Sequence, residues 1–398
     1  MDRRKAAAAL ACAGLCGHAF FLPISIAGMQ IALVIAAAGV LLTPPRPLST
    51  PLDLPALLFV ALAILSDLVA PSGAPPLAEA TLWRSLLGFF VVTHGLRLLR
   101  DDAPVWLAAC AAAGLGLASA VGLLQYRTGI DLVHLLGLRQ HPALVAAPGV
   151  AGRFGAMGFF TSRLTFGHNA TILICFLGGS LAGGALPRRK ALVVGAACAL
   201  SLAAVAVTFD RAAYLALGVA AAAVVAHVRR PRIAAAMAGI GALVLVHPGV
   251  RSRLSTAFSE SANSDRVFIW ARALEIIRDH PFRGIGFANY PHVCGAYYDR
   301  VDPHFFMRTW AHNLFLSTLA EMGPLGLVAL LWLLYSAFRL ALRSASRFAP
   351  GALAALCAWL MIAQFHDVIY DTKVTYALWF ALAAARSAWP GSTQATAG

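Results

Sequence analysis

The feature that most constrains this chain is a succession of long apolar runs separated by short polar connections. About twelve such runs have ~17–25 residues, the length that an α-helix needs to cross the hydrocarbon core of a bilayer. They are rich in Leu, Ala and Val without the alternation of a membrane β-barrel, so each run predicts a helix. The predicted limits are 6–22, 25–42, 53–70, 82–99, 104–124, 164–186, 191–208, 211–228, 233–247, 312–338, 351–369 and 372–389.

Composition agrees with an all-α polytopic membrane protein. Hydrophobic residues make up 60% of the 398 residues and charged residues 12%, about half the charged fraction of a soluble protein. The formal net charge is +14, but the basic residues are scattered between apolar runs and form no block interleaved with aromatic residues. Lipid headgroups and membrane orientation account for most of this charge, so we expect membrane lipids, and no nucleic acid, as partners.

The sequence offers little for a metal or a cofactor. Its seven cysteines show neither a disulfide framework nor a metal-binding spacing. Six of them fall in apolar runs, where cysteine behaves as a small hydrophobic residue. The motifs of nucleotide-binding, zinc-protease and serine-hydrolase sites are absent from the sequence, and Asp299 with Asp302 is a weak candidate for a divalent ion. We therefore expect no metal and no cofactor.

The loops give the chain an orientation. If the N-terminus is cytoplasmic, as an uncleaved anchor requires, most Lys and Arg residues of the short loops gather on the cytoplasmic side. The long connections 125–162 and 248–311 then lie outside, and we expect the first to form a lid. We predict a transmembrane bundle of about nine helices over 1–247, an external loop with an amphipathic helix over 248–311, and transmembrane helices with a short cytoplasmic tail over 312–398.

Two arginines on the external side are candidates for anion binding. An amphipathic helix is predicted from Ser264 to the residue before Pro281, and Arg266 lies in its first turn. A cation there opposes the helix dipole unless an anion binds beside it. Arg211 lies in a short break between two apolar spans, where an ionisable group by default faces a cavity or a partner. The alternatives are a surface ion pair for Arg266 and a snorkelling pair of Arg211 with Asp210.

His312 is the candidate base. It begins the predicted span 312–338, where the helix dipole and neighbouring arginines favour its neutral form. A neutral imidazole can accept a proton from a hydroxyl group, although a lone histidine is more often structural. Arg163 and Asn169 open another span on the external side and could line the same cavity, whereas His168 is a weaker candidate.

Other polar residues within or between spans have structural interpretations. Glu321 is interpreted as a buried partner for a polar group or the backbone, and Pro324 as a kink that opens space beside His312. A polar hinge between the last two spans is interpreted as an interfacial turn, and it contains His366, Asp367, Tyr370, Asp371 and Lys373.

Together these residues resemble the O-antigen ligase/polymerase superfamily of bacterial inner-membrane glycosyltransferases. The resemblance covers about 200–330, whereas the earlier half is similar only in hydropathy. It rests on three stretches, Thr208–Tyr214 with Arg211, Asp265-Arg266…Trp270…Pro281…Gly284-Ile285-Gly286…Asn289-Tyr290, and His312-Asn313-Leu314…Met322-Gly323…Gly326.

The resemblance implies a metal-independent glycosyltransferase with its active site on the periplasmic face of the inner membrane. Such an enzyme takes a glycan from undecaprenyl diphosphate, and the ligase transfers it to a sugar hydroxyl of lipid A-core. The family roles carry over to Arg211 and Arg266 as diphosphate contacts and to His312 as the group acting on the acceptor hydroxyl. Tyr290 and Asn313 lie in the matching stretches and join Arg163 and Asn169 as predicted substrate-binding residues. We expect direct displacement with inversion at the anomeric carbon.

Three other functions stay open. An O-antigen polymerase or a protein O-oligosaccharyltransferase of the same superfamily would use the same donor. The compact chain, without an extra soluble C-terminal domain, favours the ligase. A transporter for an anionic lipid or solute would also suit twelve spans with intramembrane Arg, His and Glu. The sequence shows no paired inverted halves, which favours the enzyme.

Overall fold

The computed structural model describes residues 3–43, 50–69, 80–138, 144–147, 150–255, 259–307 and 309–386. Within them the chain forms α-helices, one 3₁₀ turn (Val368–Tyr370) and one isolated β-bridge between Ala146 and Phe154. The predicted all-α class is confirmed. The α-helices are α1 (Arg3–Phe21), α2 (Ile26–Leu41), α3 (Asp53–Val69), α4 (Ala80–Leu96), α5 (Ala103–Thr128), α6 (Leu132–Leu135), α7 (Arg163–Ala182), α8 (Arg188–Ala206), α9 (Arg211–Val228), α10 (Pro231–Leu245), α11 (Pro248–Ser255), α12 (Glu260–Asp279), α13 (Tyr290–Tyr298), α14 (Leu314–Arg343), α15 (Ala349–Ala363) and α16 (Thr372–Ala385).

Each predicted apolar run coincides with a helix, namely α1–α5, α7–α10 and α14–α16. Among the described residues, α5, α7, α8, α9 and α14 are long and apolar enough to cross a bilayer, and α2 and α15 are shorter apolar helices. The chain is therefore a polytopic membrane protein, while the number of twelve spans stays a prediction. Parts of the predicted lid (139–143 and 148–149) and the predicted tail after Pro390 lie outside the described residues.

The centre of the bundle is α15, which packs against α7, α9 and α16. Small residues permit this contact, because a Cβ on Gly179 of α7 would lie 2.7 Å from the Gly351 Cα of α15. A Cβ on Gly351 would in turn lie 2.2 Å from the Phe176 carbonyl oxygen. Close approach through small residues is the usual means of helix association where lipid removes the hydrophobic driving force. This packing fixes the end of α15 and the turn that follows it.

The long helix α14 is kinked, as Pro324 predicted. Gly323 lies at φ 66°, in the left-handed region, and its missing Cβ leaves room for the Phe282 carbonyl. The kink frees two backbone carbonyls, Ala320 and Glu321, which accept hydrogen bonds of 2.9 Å from the N–H groups of Ile285 and Gly286. The Gly-rich turn after α12 is thus docked into the kink. The segment between α11 and α14 is fastened to the bundle at this point.

Glu321 is buried, and its partners agree with the predicted structural role. Its Oε1 accepts from the Tyr290 N–H at 3.1 Å, and its Oε2 accepts from the Tyr370 hydroxyl. The Tyr370 ring stacks on Trp310 with centroids 3.9 Å apart. These contacts join α13, α14 and the turn after α15.

The amphipathic helix α12 begins at Glu260, four residues before the predicted start, and ends at Asp279. Val267 and Leu274 recur at helical spacing but are exposed, whereas the residues that pack inward are Ile269, Ala273 and Ile276. The helix carries apolar residues on more than one side, so spacing alone does not identify the side that contacts α13 and α14.

Candidate functional site

A cleft of about 360 Å³ lies where α7 and α9 begin and α15 ends. The basic residues 188–190 and 229–230 lie at the other ends of α7 and α9, as the predicted topology requires. Four helices each bring one arginine to the cleft. These arginines are Arg163 of α7, Arg211 of α9, Arg253 of α11 and Arg266 of α12, and we call them the arginine side.

Arg211 and Arg266, two of the three predicted catalytic residues, therefore line one cleft. The Arg266 guanidinium lies over the Phe365 ring at 5.5 Å. Its Nε is buried without a hydrogen-bond partner among the described residues. Burial first, and then the nearby Arg211, lower the pKa of Arg266. A guanidinium stays protonated despite such a shift. Two neighbouring cations in a partly buried cleft favour the binding of an anion.

The turn before α9 is held by the other two arginines. Phe209 is buried at φ 55°, a left-handed conformation that costs energy for a residue with a bulky side chain. Its carbonyl oxygen accepts from Arg163 Nη1 at 3.2 Å and from Arg253 Nε at 3.3 Å. Arg163 Nη1 also donates to the Thr208 carbonyl at 2.6 Å. These bonds fix the backbone that presents Arg211, whose Nη2 lies 3.5 Å from Asn263 Oδ1.

A group of imidazoles with one carboxylate lies at the same cleft. His168 and Asp210 are buried, and His168 Nε2 lies 2.8 Å from Asp210 Oδ2. The His366 ring lines the cleft, and its centroid is 4.4 Å from that of His168 and 6.1 Å from that of His312. We call His168, Asp210, His312 and His366 the histidine side.

Charge on the histidine side is set by burial and by the contacts just described. Burial first, then His168, hold the pKa of His366 well below its usual value, so its imidazole is neutral. Burial raises the pKa of Asp210, but the opposing effects, led by His168, outweigh it and leave the pKa below its usual value. Asp210 is thus an anion, and its Oδ1 caps α9 by accepting from the Ala212 N–H at 3.0 Å.

One group of described residues could hold a metal ion. Possible ligand atoms of His168, Asp210 and His366 lie within 4.8 Å of one another, and two histidines with one carboxylate suit a transition metal. The 2.8 Å separation of His168 Nε2 and Asp210 Oδ2 is an ordinary polar contact between the two groups themselves. Four guanidiniums line the same cleft and oppose a further cation. We therefore interpret the group as an imidazole–carboxylate cluster.

His312, the third predicted catalytic residue, stands just before α14 at φ 52°. Its N–H donates to Asp367 Oδ2 at 2.6 Å, and the same carboxylate accepts from the Ser317 hydroxyl. Burial first, and then Arg266, lower the pKa of His312 to about 4. The predicted neutral imidazole is confirmed, although burial contributes more than neighbouring charge. His312 is not among the cleft-lining residues and approaches the cleft beside His366.

Of the predicted substrate-binding residues, Arg163 lines the cleft, and the other three have partners elsewhere in the described structure. Asn169 Nδ2 donates to the Lys373 carbonyl at 2.9 Å. Asn313 caps α14, its Oδ1 accepting from two backbone N–H groups. Tyr290 is buried, with its hydroxyl 3.4 Å from that of Tyr298. A role for Asn169, Asn313 and Tyr290 in substrate binding stays a prediction.

Among the cleft residues that sequence reasoning missed are Arg253 and His366. Arg253 lies on the short helix α11, inside a connection interpreted as a loop. His366 was interpreted as part of an interfacial turn. The available signal for His366 was a His-Asp pair within the last residues of the predicted span 351–369, at the end that the predicted orientation places outside.

A comparison with protein families gives a match over part of the chain. Residues 196–331, about one third of the chain, match the family model described as O-antigen ligase. The matched region includes Arg211, Arg253, Arg266 and His312, whereas Arg163 and His366 lie outside it. No curated protein matches the chain.

Proposed function

We propose that this chain is an O-antigen ligase, and the match of residues 196–331 to the family model described as O-antigen ligase supports this proposal. It transfers a glycan from undecaprenyl diphosphate to a hydroxyl of lipid A-core at the periplasmic face of the bacterial inner membrane. The observation that carries the proposal is that Arg211, Arg266 and His366 line one cleft and that His312 lies beside His366. Guanidiniums and an imidazole pair at one cleft suit a transfer whose leaving group is a diphosphate.

The donor diphosphate binds on the arginine side. As the bond between the anomeric carbon and the phosphate oxygen breaks, negative charge accumulates on the departing diphosphate. Guanidinium groups that are already in place stabilise that charge without reorganisation, and their planar forks match phosphate oxygens. The bonds from Arg163 and Arg253 to the Phe209 carbonyl keep the turn that presents Arg211 in place. Guanidiniums supply this stabilisation without a metal or another cofactor.

The acceptor hydroxyl approaches from the histidine side. His312 is neutral because burial keeps its pKa at about 4, so it can accept the hydroxyl proton as the oxygen attacks the anomeric carbon. One C–O bond forms while the bond to the diphosphate breaks, and the configuration at the anomeric carbon inverts. Detection of a covalent glycosyl-enzyme would contradict this direct displacement.

Both substrates are lipid-linked, and the cleft has an apolar part that suits them. Leu164, Leu215 and Val267 line it together with the arginines. Leu164 and Leu215 lie on apolar helices, α7 and α9, that are long enough to cross a bilayer. A polyprenyl chain could therefore remain in the lipid while its diphosphate reaches the guanidiniums.

Deletion of the gene in its native bacterium tests the assignment. A ligase deletion leaves bare lipid A-core together with polymer still attached to undecaprenyl diphosphate. Core capped by a single repeat would assign the chain as a polymerase. Unaltered lipopolysaccharide with loss of protein glycans would indicate a protein O-oligosaccharyltransferase. Precursor stranded on the cytoplasmic leaflet would show a transporter and overturn the enzyme assignment.

A further inference from the structure

The cleft is lined by an imidazole that the predicted mechanism does not use. His366 lines the cleft, whereas His312 is not a lining residue and lies beside His366. His366 follows α15, the central helix, so its backbone is fixed by the packing of α15 against α7 and α9. A residue placed in this way can contact a substrate directly.

The spacing of the two imidazoles fits one hydroxyl group. Their ring centroids are 6.1 Å apart and their planes are nearly perpendicular, at 84°. A ring nitrogen lies ~1.1 Å from its centroid and a hydrogen bond to a hydroxyl spans ~2.8 Å. At an oxygen bonded to both rings, the directions to the two rings would thus make an angle of roughly 100°, close to that between the donor and acceptor directions of a hydroxyl. The two rings are too far apart for a direct hydrogen bond.

The His366 ring is braced from behind. His168 packs edge-on against it, with centroids 4.4 Å apart and planes at 61°. His168 is in turn held by Asp210 at 2.8 Å, and both residues are buried. The same Asp210 caps the helix that starts with Arg211. One carboxylate therefore fixes both the imidazole brace and a helix that presents a guanidinium.

We propose that His366 contacts the acceptor hydroxyl together with His312, and that His168 and Asp210 are positioning residues for its ring. This inference rests on the proposed transfer of a glycan to a sugar hydroxyl. His366 donates a hydrogen bond to the hydroxyl oxygen, and His312 accepts its proton. The oxygen's remaining lone pair then forms the bond to the anomeric carbon, and the electron pair of the broken C–O bond leaves with the diphosphate.

The test measures acceptor and donor behaviour separately. Full-length wild-type protein and the His366→Gln variant are reconstituted in lipid nanodiscs. Initial rates of transfer from undecaprenyl-diphosphate glycan are recorded at several lipid A-core concentrations. We expect kcat to fall by about 10²-fold and the acceptor KM to rise, as for loss of a group acting in proton transfer. The Kd for undecaprenyl diphosphate should stay within about twofold, because the arginine side is intact.

A double variant tests whether the two imidazoles act together. Residues that act as one unit are strongly non-additive, so His312→Gln combined with His366→Gln should be about as slow as the slower single variant. His168→Gln should give a smaller loss of kcat, about tenfold, through disorder of the His366 ring. The exposed His304 is the matched control, and His304→Gln should transfer at the wild-type rate.

Four outcomes would overturn the proposal. For a folded His366→Gln protein, they are wild-type kinetics, or loss of donor affinity with an unchanged acceptor KM. For the double variant, the outcome is full additivity of the two losses. For the wild-type protein, it is loss of activity in EDTA that a divalent ion restores. The last would make the cluster a metal site. Folding is checked by gel filtration and thermal unfolding. If wild-type protein transfers only to a second lipid-linked glycan, the ligase assignment fails, and the His366 variants are then tested in that reaction.

Discussion

The two sides of the cleft are built in different ways. On the arginine side each guanidinium comes from a helix, and in α7 and α9 it is the first helical residue. On the histidine side, His312 and His366 both lie outside helices, in the segments that flank α14 and follow α15. His312 even adopts a left-handed backbone. The arginines that line the cleft are therefore carried by helices, and the two imidazoles proposed to contact the acceptor are carried by connections, whereas His168, which packs against His366, lies on α7.

This difference has a chemical meaning. A diphosphate needs fixed positive charge, which guanidiniums keep at any accessible pH. A base needs an unprotonated nitrogen, and burial and Arg266 provide this for His312. In the proposed mechanism Arg266 serves both sides, because it contacts the donor anion and its charge disfavours imidazolium at His312. Binding and proton transfer should consequently be separable by mutation, with Arg266 the residue that affects both.

The largest effect is expected from the arginine side. Replacing Arg266 or Arg211 by Ala should lower the transfer rate by at least about 10³-fold, because the departing diphosphate loses a donor that stabilises its charge. Lys at either position should recover part of the rate, since it restores charge without the planar fork. Rates are measured with reconstituted protein. Arg278 of α12 has a side chain that is 82% exposed, and Arg278→Ala should match the wild type. Near wild-type transfer in Arg266→Ala would refute the anion site.

On the histidine side, His312→Ala should lower kcat by about 10²- to 10⁴-fold, the range for loss of a general base. Donor binding should be unchanged, in contrast to Arg266→Ala. The measurement pairs single-turnover rates with equilibrium binding of undecaprenyl diphosphate. Wild-type rates in His312→Ala would rule out its proposed role. A matched loss of donor affinity would show that the two sides are not separable.

The comparison of the arginine side with the histidine side also shows how much of the site the sequence predicted. Arg211 and Arg266 were identified because each interrupts an expected pattern, one between two apolar runs and one in the first turn of an amphipathic helix. Pro324 likewise predicted the kink in α14. The convergence of Arg211, Arg266 and His312 on one region required the resemblance to a family, since no local pattern relates α9 to α12 or α14.

His366 and Arg253 could not be predicted in this way. Their places depend on how α15 seats against α7 and α9 and on where α11 turns back toward Phe209. The inward side of α12 was ambiguous for a related reason, because Val267 and Leu274 are as apolar as the residues that pack inward. Spacing reports the period of a helix, and tertiary packing decides which side is buried.

Replacing Arg253 should lower the transfer rate moderately, whereas replacing Arg251 on the same short helix should not. Arg253 of α11 lines the cleft and donates to the Phe209 carbonyl, whereas Arg251 is exposed. Arg253→Ala should reduce transfer by about tenfold, since it removes one charge and loosens the turn before Arg211. Arg251→Ala should leave transfer unchanged. Equal losses in both variants would indicate a general effect of charge on α11 and would remove Arg253 from the site.

The pH dependence should show a smaller effect. The pKa of His312 is about 4 in the free enzyme, so its imidazole stays neutral from pH 8 to pH 5. The contribution of His312 to kcat/KM should therefore be lost only as the pH falls through about 4. His366 is also neutral in this range. Bound diphosphate favours imidazolium, so the acid limb of kcat should lie at higher pH than that of kcat/KM.

Asp367 is the group that could obscure this result. Burial raises the pKa of Asp367 to about 6, and this carboxylate accepts from the His312 N–H. A shallow change of rate near pH 6 should therefore disappear in Asp367→Asn. An acid limb near pH 6.5 in the pH profile of kcat/KM that persists in Asp367→Asn would show that His312 has an ordinary pKa. Burial would then not lower the pKa of His312.

The smallest effect concerns Asn313, which lies between His312 and the start of α14. Its Oδ1 accepts from the N–H groups of Phe315 and Leu316 at 3.0 and 3.1 Å. Asn313→Ala should therefore destabilise the protein by about 1 kcal/mol through loss of the cap, seen as a lower thermal unfolding midpoint. Transfer well below that temperature should stay within about twofold. Asn313→Asp keeps a capping oxygen and should preserve the midpoint. A raised KM with an unchanged midpoint in Asn313→Ala would instead mean that this side chain binds substrate, and the histidine side would then extend onto the first turn of a scaffold helix.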